Sequence, residues 1–257
     1  MTQDINSKLL KFDPENHRYT LEQSPIEFTS ATTLLHKFFA PFDSEKIASN
    51  LVENHPKYQG RLIEDVLDDW KKSAEDGTSI HNAMEMGIIK HNEGNEFADA
   101  IFTTGGLDRD CTRKLKHGLR WLKNQFAKKD HLTLYPELMV YSEEMAIAGT
   151  MDLLVYNKEK EHYTIVDWKT NKAIRQQAFK EAKGMQPETA HLDDCNFIHY
   201  TLQLSLYRYI LETYYGLKIN NQAIVHLTTT GAVVYECEYL SDVITAICKR
   251  RIEDVKR

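Results

Sequence analysis

Two aspartates and a lysine are the residues best placed by type and spacing to do chemistry. Asp152 closes the stretch Gly149-Thr150-Met151-Asp152, and Asp167-Trp168-Lys169 follows fifteen residues later. Each falls on a β-type run: Ala146 to Tyr156, with Ile147, Leu153, Leu154 and Val155, and Tyr163 to Trp168, with Ile165 and Val166. The polar Asn157-Lys158-Glu159-Lys160-Glu161 between them reads as a turn, so the two runs form a β-hairpin. Neighbouring strands lie about 4.8 Å apart, which lets both aspartates meet at one end of the sheet. Residues two apart on a strand share a face, so Asp167 and Lys169 point the same way. Charges in an apolar run need a partner or a metal, because a lone charge is rarely buried. The chemistry these residues suit is the binding of a divalent cation and the activation of water. Taken alone, Asp-x-Lys is common, and its ordinary reading is a surface ion pair.

Further candidates surround this hairpin. Gly77-Thr78-Ser79 precedes a helical stretch from Ile80 to Ile89, with Thr78 or Ser79 expected to cap it. His81 and Glu85 are four apart on that helix and share one face. Glu137, in Tyr135-Pro136-Glu137, lies on a strand from Leu132 to Tyr141 that would complete a three-strand antiparallel meander. Gln203 and Tyr207 share a face with Ile210 and Tyr214 on a helix from Phe197 to Tyr215, ending near Gly216. Each has a plain structural alternative. His81 could be a hydrogen-bonded helix histidine, Glu85 a surface carboxylate and Glu137 an ion-pair partner. Gln203, Tyr207 and the Trp168 side chain could simply pack the core.

The positioning elements follow from periodicity. Lys11 to Phe28 reads as a short hairpin with Tyr19, Leu21, Ile26 and Phe28 as its apolar positions, and Ser30 opens a short helix around Leu34 to Phe39. Ile63 to Lys72 is an amphipathic helix, and Asp110 to Lys129 is a second one striped by Leu115, Leu119, Leu122 and Phe126. Ala173 to Asn196 is a long polar insertion beside the Asp-Trp-Lys segment, a lid or substrate loop or else a disordered bulge. Gln222 to Thr229 and Ala232 to Tyr239 form a second hairpin turning at Thr230-Gly231, and Ser241 is expected to cap a last helix from Asp242 to Val255. The order predicts an α/β fold with a mixed central sheet flanked by helices.

A length of 257 residues, 42% hydrophobic content, 11 Gly and 6 Pro favour one compact domain over 1–257. Its parts are 1–74, carrying the hairpin and helices, and 75–257, carrying the core with the insertion 173–196. The polar start Met1 to Ser7 lacks a signal-peptide core, and no run of about 18 apolar residues suggests a membrane span, so a cytoplasmic location is expected. Cys111, Cys195, Cys237 and Cys248 contain no C-x-x-C pair and read as scattered reduced thiols. The net charge of −6 argues mildly against non-specific nucleic-acid binding, but its distribution is uneven. Ten acidic residues face four basic ones from Arg61 to Asp99, while eight basic residues face three acidic ones from Asp108 to His131. Lys169 to Lys183 and the stretch Lys249-Arg250-Arg251 are basic too, so these segments could assemble a phosphate-binding surface or be solvated helix faces.

With these residues assembled, the chain resembles the PD-(D/E)XK nuclease superfamily, and within it the RecB-like and phage-type exonucleases, a branch that includes the mitochondrial genome maintenance exonuclease. The resemblance covers about 75–257 and extends more loosely toward the amino end. Asp152 matches the family's first metal carboxylate, Asp167-Trp168-Lys169 its acid-x-Lys strand, and Gln203-Leu204-Ser205-Leu206-Tyr207 its Gln-x-x-x-Tyr helix. Gly77-Thr78-Ser79-Ile80-His81 matches the upstream Gly-x-x-x-His helix, and Glu137 an acidic residue on the strand before the hairpin. Met151 stands where many relatives have proline, and no cysteine spacing matches the iron–sulfur cluster of some relatives, so none is expected here.

The resemblance implies a restriction-endonuclease-like α/β core and Mg²⁺ or Mn²⁺, two ions per site. Their ligands would be His81, Asp152, Asp167 and the Trp168 backbone carbonyl. Lys169 would orient water or neutralise the transition state, Gln203 and Tyr207 would reach phosphate or hold the site, and Glu85 and Glu137 would stand further out. The implied activity is exonucleolytic hydrolysis of single- or double-stranded DNA ends in phage or bacterial recombination, repair or degradation. A recombinase, helicase or single-strand-binding protein would be a partner, with a homo-oligomer as one assembly. The rival readings are a structure-specific or restriction-type endonuclease on the same fold, and a non-cleaving DNA-binding or interaction module.

Overall fold

The computed structural model describes residues 9–14, 16, 18–22, 24–97 and 107–257. The polar start Met1 to Ser7 lies outside them. In chain order the elements are β1 (Leu10–Asp13), β2 (Arg18–Leu21), β3 (Thr29–Ser30), α1 (Ala31–His36), α2 (Ser44–Asn54), α3 (Ile63–Asn92) and α4 (Arg109–Phe126). Then come β4 (Leu132–Ser142), β5 (Ile147–Asn157), β6 (His162–Lys169), α5 (Asn196–Tyr214), β7 (Ile219–Leu227), β8 (Ala232–Glu236) and α6 (Ser241–Lys256).

The sheet runs β3-β5-β6-β7-β8, with β4 also paired to β5. As expected, β4, β5 and β6 form an antiparallel meander and β7–β8 a second hairpin. The pairing of β6 with β7 is parallel, with α5 as the crossover, and β3 joins the start of β5 in parallel. The mixed sheet follows from these pairings. Period-two alternation on its strands feeds two cores. Leu154, Ile165 and Ile224 pack toward α1, α5 and α6 with Leu202, Leu206 and Ile247. Leu153, Val166, Trp168 and Val225 pack toward α3 and α4 with Ile80, Met84 and Leu115. Burying each such side chain fully contributes about 1.5–3 kcal/mol, so both faces hold the strands that carry the aspartates.

Side-chain caps set several helix starts: Ser30 accepts the Thr33 N–H, Asp43 that of Lys46, and Asp108 that of Cys111. Two expected helix caps need correction. Thr78 and Ser79 do not cap a helix. α3 runs through them without a break, and their hydroxyls donate to the Ala74 and Glu75 carbonyls of the preceding turn. Ser241 does not cap α6 either; Leu240 stands at that position without a side-chain bond, and the Ser241 hydroxyl meets Asp242. α2, preceded by Asp43 and carrying only Ala48 fully buried, was not foreseen. The insertion is not a loose bulge. Met185 donates its N–H and Thr189 its hydroxyl to the Phe38 carbonyl, Lys183 pairs with Asp193, and Thr189 is fully buried. Among the described residues, no helix is long and apolar enough to cross a membrane.

Candidate active site

The site begins where two strands part. β5 and β6 pair from Asn157 opposite His162 to Leu153 opposite Val166, and the ladder stops there. In that register Asp152 and Asp167 are the next residues to face each other. The start of β5 takes β3 as its neighbour, with Thr29 opposite Ile147 and Ser30 opposite Ala148. Asp152 fills the parting. Its Oδ2 accepts the Trp168 backbone N–H at 2.6 Å, and its Oδ1 lies 3.1 Å from His81 Nδ1 on α3. The Trp168 indole packs against Trp121 with ring centroids 5.6 Å apart, which fixes the strand that presents Asp167 and Lys169.

On the other side of β5, Pro136 faces Leu153 and Leu138 faces Met151, which sets Glu137 across from Asp152 with no ladder pair between them. Glu137 has φ 45°, a left-handed conformation that side-chain-bearing residues seldom adopt, next to a proline that has no N–H to donate. Strain of this kind persists where the surrounding structure enforces it, and it collects at functional sites. One ligand atom each from His81, Glu137 and Asp152 lie within 4.8 Å of one another. The three-residue cluster therefore includes Glu137, which was expected further out. Asp167 instead pairs with Lys169, whose ammonium also sits 4.6 Å from the Tyr200 ring centre. Glu85 is half-buried, one turn of α3 beyond His81.

The charges are tightly coupled. Burial pushes the Glu137 carboxyl up to about 8, and the negative charge of Asp152 adds to the rise. Burial also raises Asp167, against the pull of Lys169. Burial would raise Asp152, but the His81 charge and hydrogen bond, Lys169 and the Trp168 N–H outweigh it and hold it low. Burial would lower His81 and Lys169, yet the neighbouring aspartates outweigh it and raise both. The site thus crowds three carboxyl groups around one ammonium and one imidazole, and Glu137 relieves the crowding by holding its proton. The buried Asp167 Oδ2 lies against the Lys169 ammonium and has no other partner among the described residues. Several carboxylate oxygens gathered at one point are a donor set that fits a hard divalent cation, and the imidazole can join it once it gives up its proton.

Side chains behind the site hold its parts in place. A Cβ on Gly149 would come within 2.6 Å of Tyr207 Cε1, so only glycine lets the Tyr207 ring close on β5. Tyr207 is buried in the α5 core, and its hydroxyl accepts from Gln203 Nε2 at 3.2 Å. Neither residue lines the cleft, so both stand behind the carboxylates. Three further supports escaped the sequence reading. Lys114 donates to the Thr170 carbonyl at 2.6 Å, His226 to the Asn171 carbonyl at 2.6 Å, and Tyr19 meets the Thr150 hydroxyl at 3.1 Å. Lys114 was visible only as one member of a basic segment, and nothing in its neighbours signalled its target. Two of the segment's other cations are engaged elsewhere: Lys123 pairs with Glu96 and Arg113 with Asp110.

A cleft of 1060 Å³ opens over His81, Glu137, Asp152 and Lys169. α3, the short stretch after β6 and the insertion also line it, bringing Trp70, Lys172, Arg175 and Phe179. The arrangement can hold a cation against carboxylates, keep an ammonium beside it, and admit a large polyanion from outside.

Comparison with known proteins agrees with this chemistry. The family model of the PD-(D/E)XK nuclease superfamily matches residues 51–238. No curated protein sequence matches the chain. Among solved structures, the chain is similar to SSO0001, at 14% identity and a TM-score of 0.36, over 92% of this chain and 77% of that one, a distant likeness.

Proposed function

This chain belongs to the PD-(D/E)XK nuclease superfamily, whose members are metal-dependent nucleases, and on that footing we propose that it is a DNA exonuclease working from strand ends. The branch is proposed to be the RecB-like and phage-type one, on the ordered set His81, Asp152, Asp167, Lys169, Gln203 and Tyr207. That branch implies a role in phage or bacterial DNA recombination, repair or degradation.

The geometry supports the following roles. Asp152, Asp167, His81 and the Trp168 backbone carbonyl would hold Mg²⁺ or Mn²⁺, with Glu137 beside them. A divalent cation so held lowers the pKa of bound water and offsets charge on phosphoryl oxygens. Lys169 keeps its proton between two aspartates, so its ammonium orients the attacking water or faces the developing charge. Tyr207 acts as a positioning residue by packing on Gly149, three residues before Asp152, and Gln203 by donating to the Tyr207 hydroxyl. The single observation that carries the reading is the Asp152 carboxylate, shared between His81 and the Trp168 N–H and flanked by Glu137 and Asp167.

The experiment is digestion of end-labelled linear DNA and of covalently closed circular DNA, with Mg²⁺ or Mn²⁺ and with EDTA. Metal-dependent loss of the linear substrate, absent in Asp152→Asn and Lys169→Met, supports the proposal. Equal cutting by both variants and the wild type overturns the site assignment. Rapid cutting of the closed circle overturns the exonuclease reading in favour of an endonuclease.

A further inference from the structure

The cleft carries three aromatic rings that hydrolysis does not use. Phe42 and Phe179 are each 71% exposed, the most exposed large apolar side chains among the described residues, and both line the cleft with Trp70. The Phe42 and Trp70 rings lie 5.8 Å apart, contributed by the residues before α2 and by α3. Phe179 comes from the insertion, on a single 3-10 turn spanning Phe179–Glu181. The two residues after it, Lys180 and Glu181, have φ 54° and 56°. Two successive left-handed residues that are not glycine are strained and need surroundings that enforce them. Those surroundings are present: Ala178 donates to Asp193, Asp194 donates to the Ala182 carbonyl at 2.9 Å, and Lys183 pairs with Asp193. The fold thus clamps a turn whose outcome is an exposed phenyl ring at the cleft, with the Lys180 ammonium 5.4 Å from the ring centre.

Lys172 and Arg175 line the same cleft, are exposed, and form no salt bridge among the described residues. Cations beside exposed rings match a nucleotide strand, with phosphates drawn to the charges and base faces to the rings. Inside a duplex those faces are covered by neighbouring base pairs and a blunt end bares only the outer face of its last pair, so several rings can reach successive bases only where the strand is unpaired.

We propose that the Phe42–Trp70 pair and Phe179 stack on bases of an unpaired strand next to the phosphate at the carboxylates, so that single-stranded or frayed ends are taken in preference to blunt duplex. The inference rests on the nuclease reading of this cleft and adds the strandedness of its substrate. Stacking accepts any base, so the preference is for the unpaired state and not for sequence.

The test is equilibrium binding in EDTA, where nothing is cut, using single-stranded oligodeoxynucleotides with 2-aminopurine near one end. Wild type binds the single strand more tightly than a blunt duplex and quenches the probe. Phe179→Ala and Trp70→Ala each weaken single-strand binding by roughly 5- to 100-fold and lose quenching, while Phe179→Tyr and Trp70→Phe retain most of both. A strand with abasic sites near that end binds wild type as weakly as the normal strand binds Phe179→Ala. Equal binding of abasic and normal strands by wild type overturns the inference, as does unchanged binding by both alanine variants. The two readings separate cleanly. Cutting with metal but no stacking removes this inference alone; stacking without cutting in any metal removes the hydrolytic reading and leaves the stacking site.

Discussion

Asp152 accepts the backbone N–H of Trp168 at 2.6 Å, one step beyond the last β5–β6 pair, Leu153 opposite Val166. A side chain therefore stands in for a strand partner, and the same carboxylate is offered to the cleft. Asp152→Asn keeps the shape and removes the charge, so cleavage should fall at least about 100-fold with little loss of stability. Asp152→Ala also strands a buried N–H, which costs about 1–3 kcal/mol. Thermal melts in EDTA check this. An Asp152→Ala protein that melts like wild type would contradict the structural half of the assignment.

The raised carboxyl of Glu137 gives a pH signature. Its folded value of about 8 stands above the model-peptide value of 4.5, so the folded state holds this proton more tightly than the unfolded chain. That contribution to stability is complete below about 4.5 and is lost as pH rises through about 8. In EDTA, the wild-type melting temperature should drop across that window relative to Glu137→Gln, whose curve lacks this component. A cation must displace the proton, so Mg²⁺ or Mn²⁺ affinity should climb over the same interval. Parallel stability curves for the two proteins would refute the assignment.

Gly149 and Tyr207 should be energetically coupled. Gly149→Ala drives a methyl group into the Tyr207 ring, and overpacking of this kind costs about 1–3 kcal/mol. In a Tyr207→Leu background the same change should cost much less. Urea denaturation of the four proteins measures the coupling, and strict additivity would show that the ring yields freely.

The lysine on α4 makes a separate prediction. Lys114→Met removes the donor to the Thr170 carbonyl, next to Lys169. Small misplacements of reacting groups cost up to about 100-fold in rate, so single-turnover cleavage should slow while the fold persists. Circular dichroism and a rapid-quench time course together decide it, and an unchanged rate would dismiss Lys114 as a support.

Much of this arrangement was legible in the sequence because strand chemistry is local. Alternation marked β4 to β6, and a fixed period of two put Asp167 and Lys169 on one side, where they do pair. The hairpin turn and the Ser30 cap were equally short-range. What stayed hidden depended on contacts distant in the chain. Gly77-Thr78-Ser79 looked like a helix start, yet α3 continues through it and brings Gly77 against Thr170, where a Cβ would sit 3.1 Å from the hydroxyl. Glu137 gained its place through a left-handed kink that no composition rule announces. Lys114 and His226 grip carbonyls, which every residue owns, so sequence offers no mark of the recipient.

The unbroken course of α3 has a mechanical result. Trp70 and His81 belong to one rod, separated by about 16 Å of rise at 1.5 Å per residue. Had the chain hinged at Gly77, the mouth of the cleft and the imidazole could have moved independently. As built, a tilt that swings the indole inward also levers the histidine, so a strand held at Trp70 and a cation held at His81 would be joined through a single arm.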